Sequence, residues 1–185
     1  MQSDKKSKIE KKSYFSPALL AVGAILSALS ILLGKYLAIN VGETIRLSFE
    51  NLPILLAGLF FGPWVACAVG VVADLLGCLL VGYAINPIIT LGAALIGILS
   101  GICGKLLSKT SLLKITVSVI SAHVLGSVVV KTIGLYVFYQ MPFWATLGWR
   151  TVTYAIISIL EIAILFAVLK SRTFTLQMKK IQSKN

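Results

Sequence analysis

Charge is what this sequence has least of: 12% of its 185 residues are Asp, Glu, Lys or Arg, about half the share in an ordinary soluble domain. Carboxylates are the scarcest part of it, with six acidic residues against seventeen basic ones. Asp4, Glu10, Glu43, Glu50, Asp74 and Glu161 place no two carboxylates together on one helix face, so paired acid–base catalysis finds no support. The single histidine, His123, has no metal-ligating partner four residues on, and helix packing or hydrogen bonding is the better reading of it. Cys67, Cys78 and Cys103 sit inside apolar runs at spacings that match no zinc or redox motif, and they read as small packing residues. No phosphate-binding loop is present: Gly104-Lys105 is followed by Leu106, and Leu99 stands where the motif needs its first glycine. HExxH and GxSxG are missing too, and no internal repeat of the kind common in secondary carriers emerges. A catalytic role is not expected, no cofactor or metal is implied, and the chain has no means of hydrolysing ATP by itself.

What the sequence has instead is apolar length. Fifty-eight per cent of the residues are hydrophobic, mean hydropathy is +0.96, and runs of about 20 apolar residues, enough to cross a bilayer, recur along it. We therefore expect an all-α integral membrane protein, multi-pass in the cell membrane with lipid as its solvent, and built as a six-transmembrane-helix bundle. The expected spans are Pro17–Ile39, Ser48–Phe61, Trp64–Gly82, Pro87–Leu107, Leu113–Tyr139 and Phe143–Leu169. The run from about Ser16 to Asn40 is too long for a signal-peptide core and lacks a small-x-small cleavage site, so it is expected to stay as the first helix. The second span is short and holds Pro53, which predicts a kinked or partly re-entrant element. Residues 1–15 and 171–185 read as basic tails flanking a membrane domain of residues 16–170.

The cations test that layout. Lys5, Lys6, Lys8, Lys11 and Lys12 precede the first span; Lys105, Lys109 and Lys114 lie between the fourth and fifth; Lys170, Arg172, Lys179, Lys180 and Lys184 follow the last. An even number of spans puts all three clusters on one side, and the positive-inside rule assigns that side, with both termini, to the cytoplasm. Topology thus absorbs most of the net charge of +11, and nucleic acid is not needed to explain it. Lys35, Arg46, Lys131 and Arg150 remain, near outer ends of spans or within them, together with Glu43, Glu50, Asp74 and Glu161. Charges at such depth are costly unless they pair or line a wet cavity. Two readings follow: mutual structural pairing, or an outward-facing pocket for an anionic ligand. Small residues four apart (Ala24 and Ala28; Gly58 and Gly62; Ala66 and Gly70; Ala93, Gly97 and Gly101) predict close helix approach.

Several motifs go further. Arg46-Leu-Ser-Phe-Glu-Asn-Leu-Pro53, Gly58 with Gly62-Pro63, Gly70, and Asp74-Leu-Leu-Gly77 resemble the substrate-binding S components of energy-coupling-factor (ECF) vitamin transporters, most of all the folate-specific branch. Tyr83-Ala-Ile-Asn-Pro87, Thr90-Leu-Gly-Ala93, and Pro142-Phe143 followed by Arg150 are similar to later segments of that branch. Two features depart from it: Val152, Thr153 and Tyr154 stand where a lysine is usual, and Lys131 stands where asparagine is frequent. The resemblance implies capture of a vitamin outside the cell, with folate foremost, and delivery through a membrane coupling protein and two ATPase subunits. It implies contact of Ala24 and Ala28 with the coupling protein. Together with the charge argument it selects Arg46, Phe49, Glu50, Asn51, Asp74, Tyr83, Asn86, Lys131 and Arg150 as substrate-binding candidates. Arginine suits the carboxylates of a glutamate tail. Phe49, Trp64, Tyr83, Tyr136, Tyr139 and Trp144 offer rings for a flat heterocycle or anchors for the interface. An S component for another nutrient, a self-sufficient carrier relaying protons through Asp74 and Glu161, and a ligand-free assembly protein are the competing readings.

Overall fold

The computed structural model describes residues 16–41, 45–106 and 112–182. The lysines of residues 5–12, Glu43, Lys109 and Lys184, which enter the charge argument, lie outside the described residues. The first helix, α1, runs Pro17–Tyr36. It starts where Ser16 Oγ accepts the Leu19 N–H at 3.3 Å, with Pro17 in the first turn, where a missing N–H costs nothing. Its last turn, Leu32–Tyr36, is π-helical. Strands β1 (Ile39–Val41) and β2 (Ile45–Leu47) then pair antiparallel, with Asn40 opposite Arg46. Helices α2 (Leu52–Phe61), α3 (Pro63–Leu80) and α4 (Pro87–Leu106) follow. Next come α5 (Leu112–Tyr139) and α6 (Phe143–Lys170), and a last helix α7 (Arg172–Gln182).

Five of these, α1 and α3 to α6, are long and apolar enough to cross a membrane. Every such element is helical because lipid offers the backbone no hydrogen-bond partner. Ile25, Leu79, Leu91 and Ile159 are exposed on their outer faces, a costly arrangement in water and a neutral one in a bilayer.

Three points differ from the sequence expectation. The polar connection after α1 is a short β-hairpin. Pro53 is the second residue of α2, in a turn whose N–H groups have no intrahelical partner, so it produces no kink. At ten residues, α2 is about 15 Å long, half a bilayer, and it is buried from Pro53 to Gly58. Residues 172–182, read as part of a C-terminal tail, form α7, which turns at Ser171 and packs back on the bundle. Phe174 lies edge-on to Phe60 with ring centroids 5.8 Å apart, and Met178 packs on the same core.

The small-residue stripes of α2, α3 and α4 do what their spacing predicts, while Ala24 and Ala28 on α1 stay exposed. A Cβ on Gly70 would sit 2.5 Å from the Ala93 carbonyl oxygen, and one on Gly97 would overlap the Ala66 carbonyl. Antiparallel α3 and α4 therefore touch backbone to backbone, and any side chain at Gly97 would push them apart. Beside this seam Leu55, Ile96, Val119 and Leu165 form the dry centre. The connectivity collects the C-terminal ends of α1, α3 and α5, the hairpin, and the N-terminal ends of α2, α4 and α6 at one end of the bundle.

Candidate functional site

That end contains a cavity of about 500 Å³, within the range that holds a drug-sized ligand. Its charged lining comprises Lys35, Lys131 and Arg150 against Glu50 and Asp74, and its rings are Tyr83, Tyr139, Trp149 and Tyr154.

Each charge is held by a neighbour. Lys131, 6% exposed, donates from Nζ to Glu50 Oε1 at 2.8 Å. Its stem passes over Gly92, where a Cβ would lie 2.7 Å from Lys131 Cγ. Glu50 in turn lies on Gly34, and its carbonyl accepts the Ser30 hydroxyl at 2.5 Å. Asp74 Oδ2 accepts the Thr90 hydroxyl at 2.6 Å. Lys35 places Nζ 5.5 Å from the centroid of the Tyr83 ring, a cation–π distance. Arg150 donates from Nε (3.0 Å) and Nη2 (2.6 Å) to the Ser127 carbonyl, and its Cζ stands 5.1 Å from the centroid of the Tyr154 ring. Among the described residues nothing engages its Nη1 edge. Ser127 belongs to a π-helical stretch of α5, His123–Val130, a type of distortion that recurs at functional sites.

Behind this wall lies a second polar set. Glu161, fully buried, meets His123 Nε2 through Oε2 at 2.5 Å, and His123 Nδ1 meets Ser127 Oγ at 3.1 Å. The His123 ring also packs on Tyr154, with centroids 5.0 Å apart. A buried charge or dipole needs such a partner, and this pairing accounts for the histidine as a hydrogen-bonding residue. No group of three or more His, Cys, Asp or Glu side chains suited to a metal occurs among the described residues.

Of the sequence candidates, Glu50, Asp74, Tyr83, Asn86, Lys131 and Arg150 line the cavity. Asn86 does so as a structural residue: Oδ1 accepts the Ile88 and Ile89 N–H groups at the start of α4, and Nδ2 donates to the Gly134 carbonyl at 3.0 Å. Phe49 is half-buried and lies outside the lining. Asn51 is fully buried below it, in an adjoining hollow, with Nδ2 3.4 Å from Ser127 Oγ. The side chain of Arg46 lies outside the described part of the structure. Ala24 and Ala28 are exposed on one face of α1. Trp64 is a correction to the ring set: it is the second residue of α3, at the opposite end of the bundle. Trp149, Thr153, Tyr154 and Lys35 complete the lining. Lys35 was legible as an intramembrane cation; Trp149 and Tyr154 were signalled only by their proximity to Arg150.

Residues 19–172 match the family model of the ECF transporter substrate-specific component. This chain belongs to that family. Its members are membrane proteins that bind vitamin substrates and work with the ECF module, whose partner subunits hydrolyse ATP; they are not enzymes. No curated protein matches the sequence. Among solved structures the chain is similar to FolT bound with folic acid, with a TM-score of 0.68 at 22% identity over 82% of this chain and 91% of that one. It is similar as well to the S component for biotin from an ECF-type ABC transporter, with a TM-score of 0.58 at 18% identity over 85% and 94% of the two chains. At these identities the likeness concerns the fold.

Proposed function

We propose that this S component captures folate at the outer face of the cell membrane. The observation that carries the reading is the cavity itself: three cations and four rings converge on a space of about 500 Å³. The glutamate tail of folate carries two carboxylates; the free edge of Arg150 suits one of them, and Lys131 or Lys35 the other. Lys131 on α5 then supplies the cation that the resembled branch carries on its last helix, where this chain has Val152, Thr153 and Tyr154. The pterin lies among Tyr83, Tyr139 and Trp149, with the Asp74 oxygen not used by Thr90 as acceptor for its ring N–H groups. Arg46, in strand β2 of the hairpin, is kept as a further candidate for a ligand carboxylate. In the same reading α2 completes a six-span bundle, both termini are cytoplasmic, and Ala24 and Ala28 contact the coupling protein that joins two ATPases. The similarity to FolT supports this choice of vitamin.

Trp149 allows a direct test. Folate added to the purified chain should quench its fluorescence with nanomolar affinity, pteroate (which lacks the glutamate) should bind far more weakly, and biotin should not compete. Tight binding of biotin with none of folate would transfer the site to another vitamin.

A further inference from the structure

The opposite end of the bundle holds a second cavity, of about 360 Å³, and it has no part in the vitamin site. Lys105, Lys114, Lys179, Thr175 and Gln182 are the polar residues that line it, from α4, α5 and α7. Among the described residues no carboxylate lines it. The described carboxylates are engaged elsewhere: Glu50 with Lys131, Asp74 with Thr90, Glu161 with His123. Lys114 is the informative member. It is half-buried in the first turn of α5, where the helix dipole opposes a cation. No ion pair joins it to another described residue. Lys105 lies across Gly62, with Cε 2.9 Å from where a Cβ would stand.

The wall opposite these lysines is the amphipathic helix α7. Phe174 and Met178 face the core while Arg172, Gln177, Lys179 and Lys180 are exposed. Because α7 follows directly on the last membrane span and packs across the end of the bundle, it stands at the level where that span leaves the bilayer. Its lysines therefore stand at the depth of lipid phosphates, beside a hollow lined by polar and apolar side chains alike. Basic pockets between spans at this depth suit anionic head groups.

We infer that this cavity binds the phosphate of an anionic phospholipid head group, with Lys105, Lys114 and Lys179 as its counterions. Native mass spectrometry of the purified, delipidated full chain tests this on adding back phosphatidylglycerol or phosphatidylcholine. Phosphatidylglycerol should be retained in preference, and Lys114→Gln should lower its apparent affinity about fivefold, with a similar further step for Lys179→Gln. Millimolar inorganic phosphate should leave the adduct in place. Unchanged helical content by circular dichroism shows that the variants fold; should Lys114→Gln fail to fold, the exposed Lys179→Gln carries the test. Equal retention of the two lipids, or equal binding by folded variants and native chain, overturns the assignment. Displacement by inorganic phosphate overturns the lipid and makes the cavity a site for a soluble anion.

Discussion

Both ends of the bundle gather three cations around a hollow, yet they treat them differently. At the end proposed for the vitamin Lys131 is neutralised by Glu50, Arg150 is spent partly on the Ser127 carbonyl, and Lys35 rests over Tyr83. At the basic end Lys105, Lys114 and Lys179 have no carboxylate beside them among the described residues. The first arrangement holds its charges in place before a ligand arrives, which lowers the ordering cost of binding. The second leaves long side chains whose positions an outside counterion must settle. A buried charge is tolerable only when a partner is built in, whereas a charge at an interface can take its partner from the membrane.

This contrast can be broken or sharpened by substitution. The largest effect should fall on transport alone: Ala24→Trp or Ala28→Trp should abolish uptake in cells while folate binding to the isolated chain stays near normal, because a bulky ring blocks close helix approach. Parallel loss of binding would assign these exposed alanines to the fold. Lys131→Ala should weaken folate by about 2–5 kcal/mol in a fluorescence titration, since both Glu50 and a ligand carboxylate lose a partner. Removing Glu50 as well should restore part of the stability, and a double variant as unstable as the sum of its parts would deny the coupling. For Arg150→Ala the expected loss is about 1.5–3 kcal/mol, with Arg150→Lys recovering only a fraction and pteroate nearly indifferent to both. Asn86→Ala should cost about 1 kcal/mol of stability, the value of a helix cap, with a smaller effect on affinity.

Topology is tested with least disturbance by single cysteines in a background without the native three. Ala84→Cys, at the mouth of the vitamin cavity, should react with an impermeant thiol reagent in intact cells, and Leu106→Cys should not. The reverse pattern would turn the bundle over and end the case for outside capture.

Hydropathy and the small-residue spacing were enough to locate the five long helices within a few residues, because a bilayer imposes length and polarity locally. Close packing at Ala66, Gly70, Ala93 and Gly97 was legible from their size, but that α3 and α4 meet each other there was not. The cost of intramembrane charge also marked Lys35, Lys131, Arg150, Glu50 and Asp74 before any fold was known. What only the tertiary structure decided is which partner each one has. Glu50 and Lys131 are 81 positions apart, and His123 and Glu161 are 38 apart. No local period links such residues; helix packing brings them together. The same holds for Asn86, whose amide turned out to cap α4, and for α7, whose pairing of Phe174 with Phe60 makes a helix of a stretch that composition marked only as basic. Sequence sets what each residue can tolerate around it, and packing chooses which neighbour provides it.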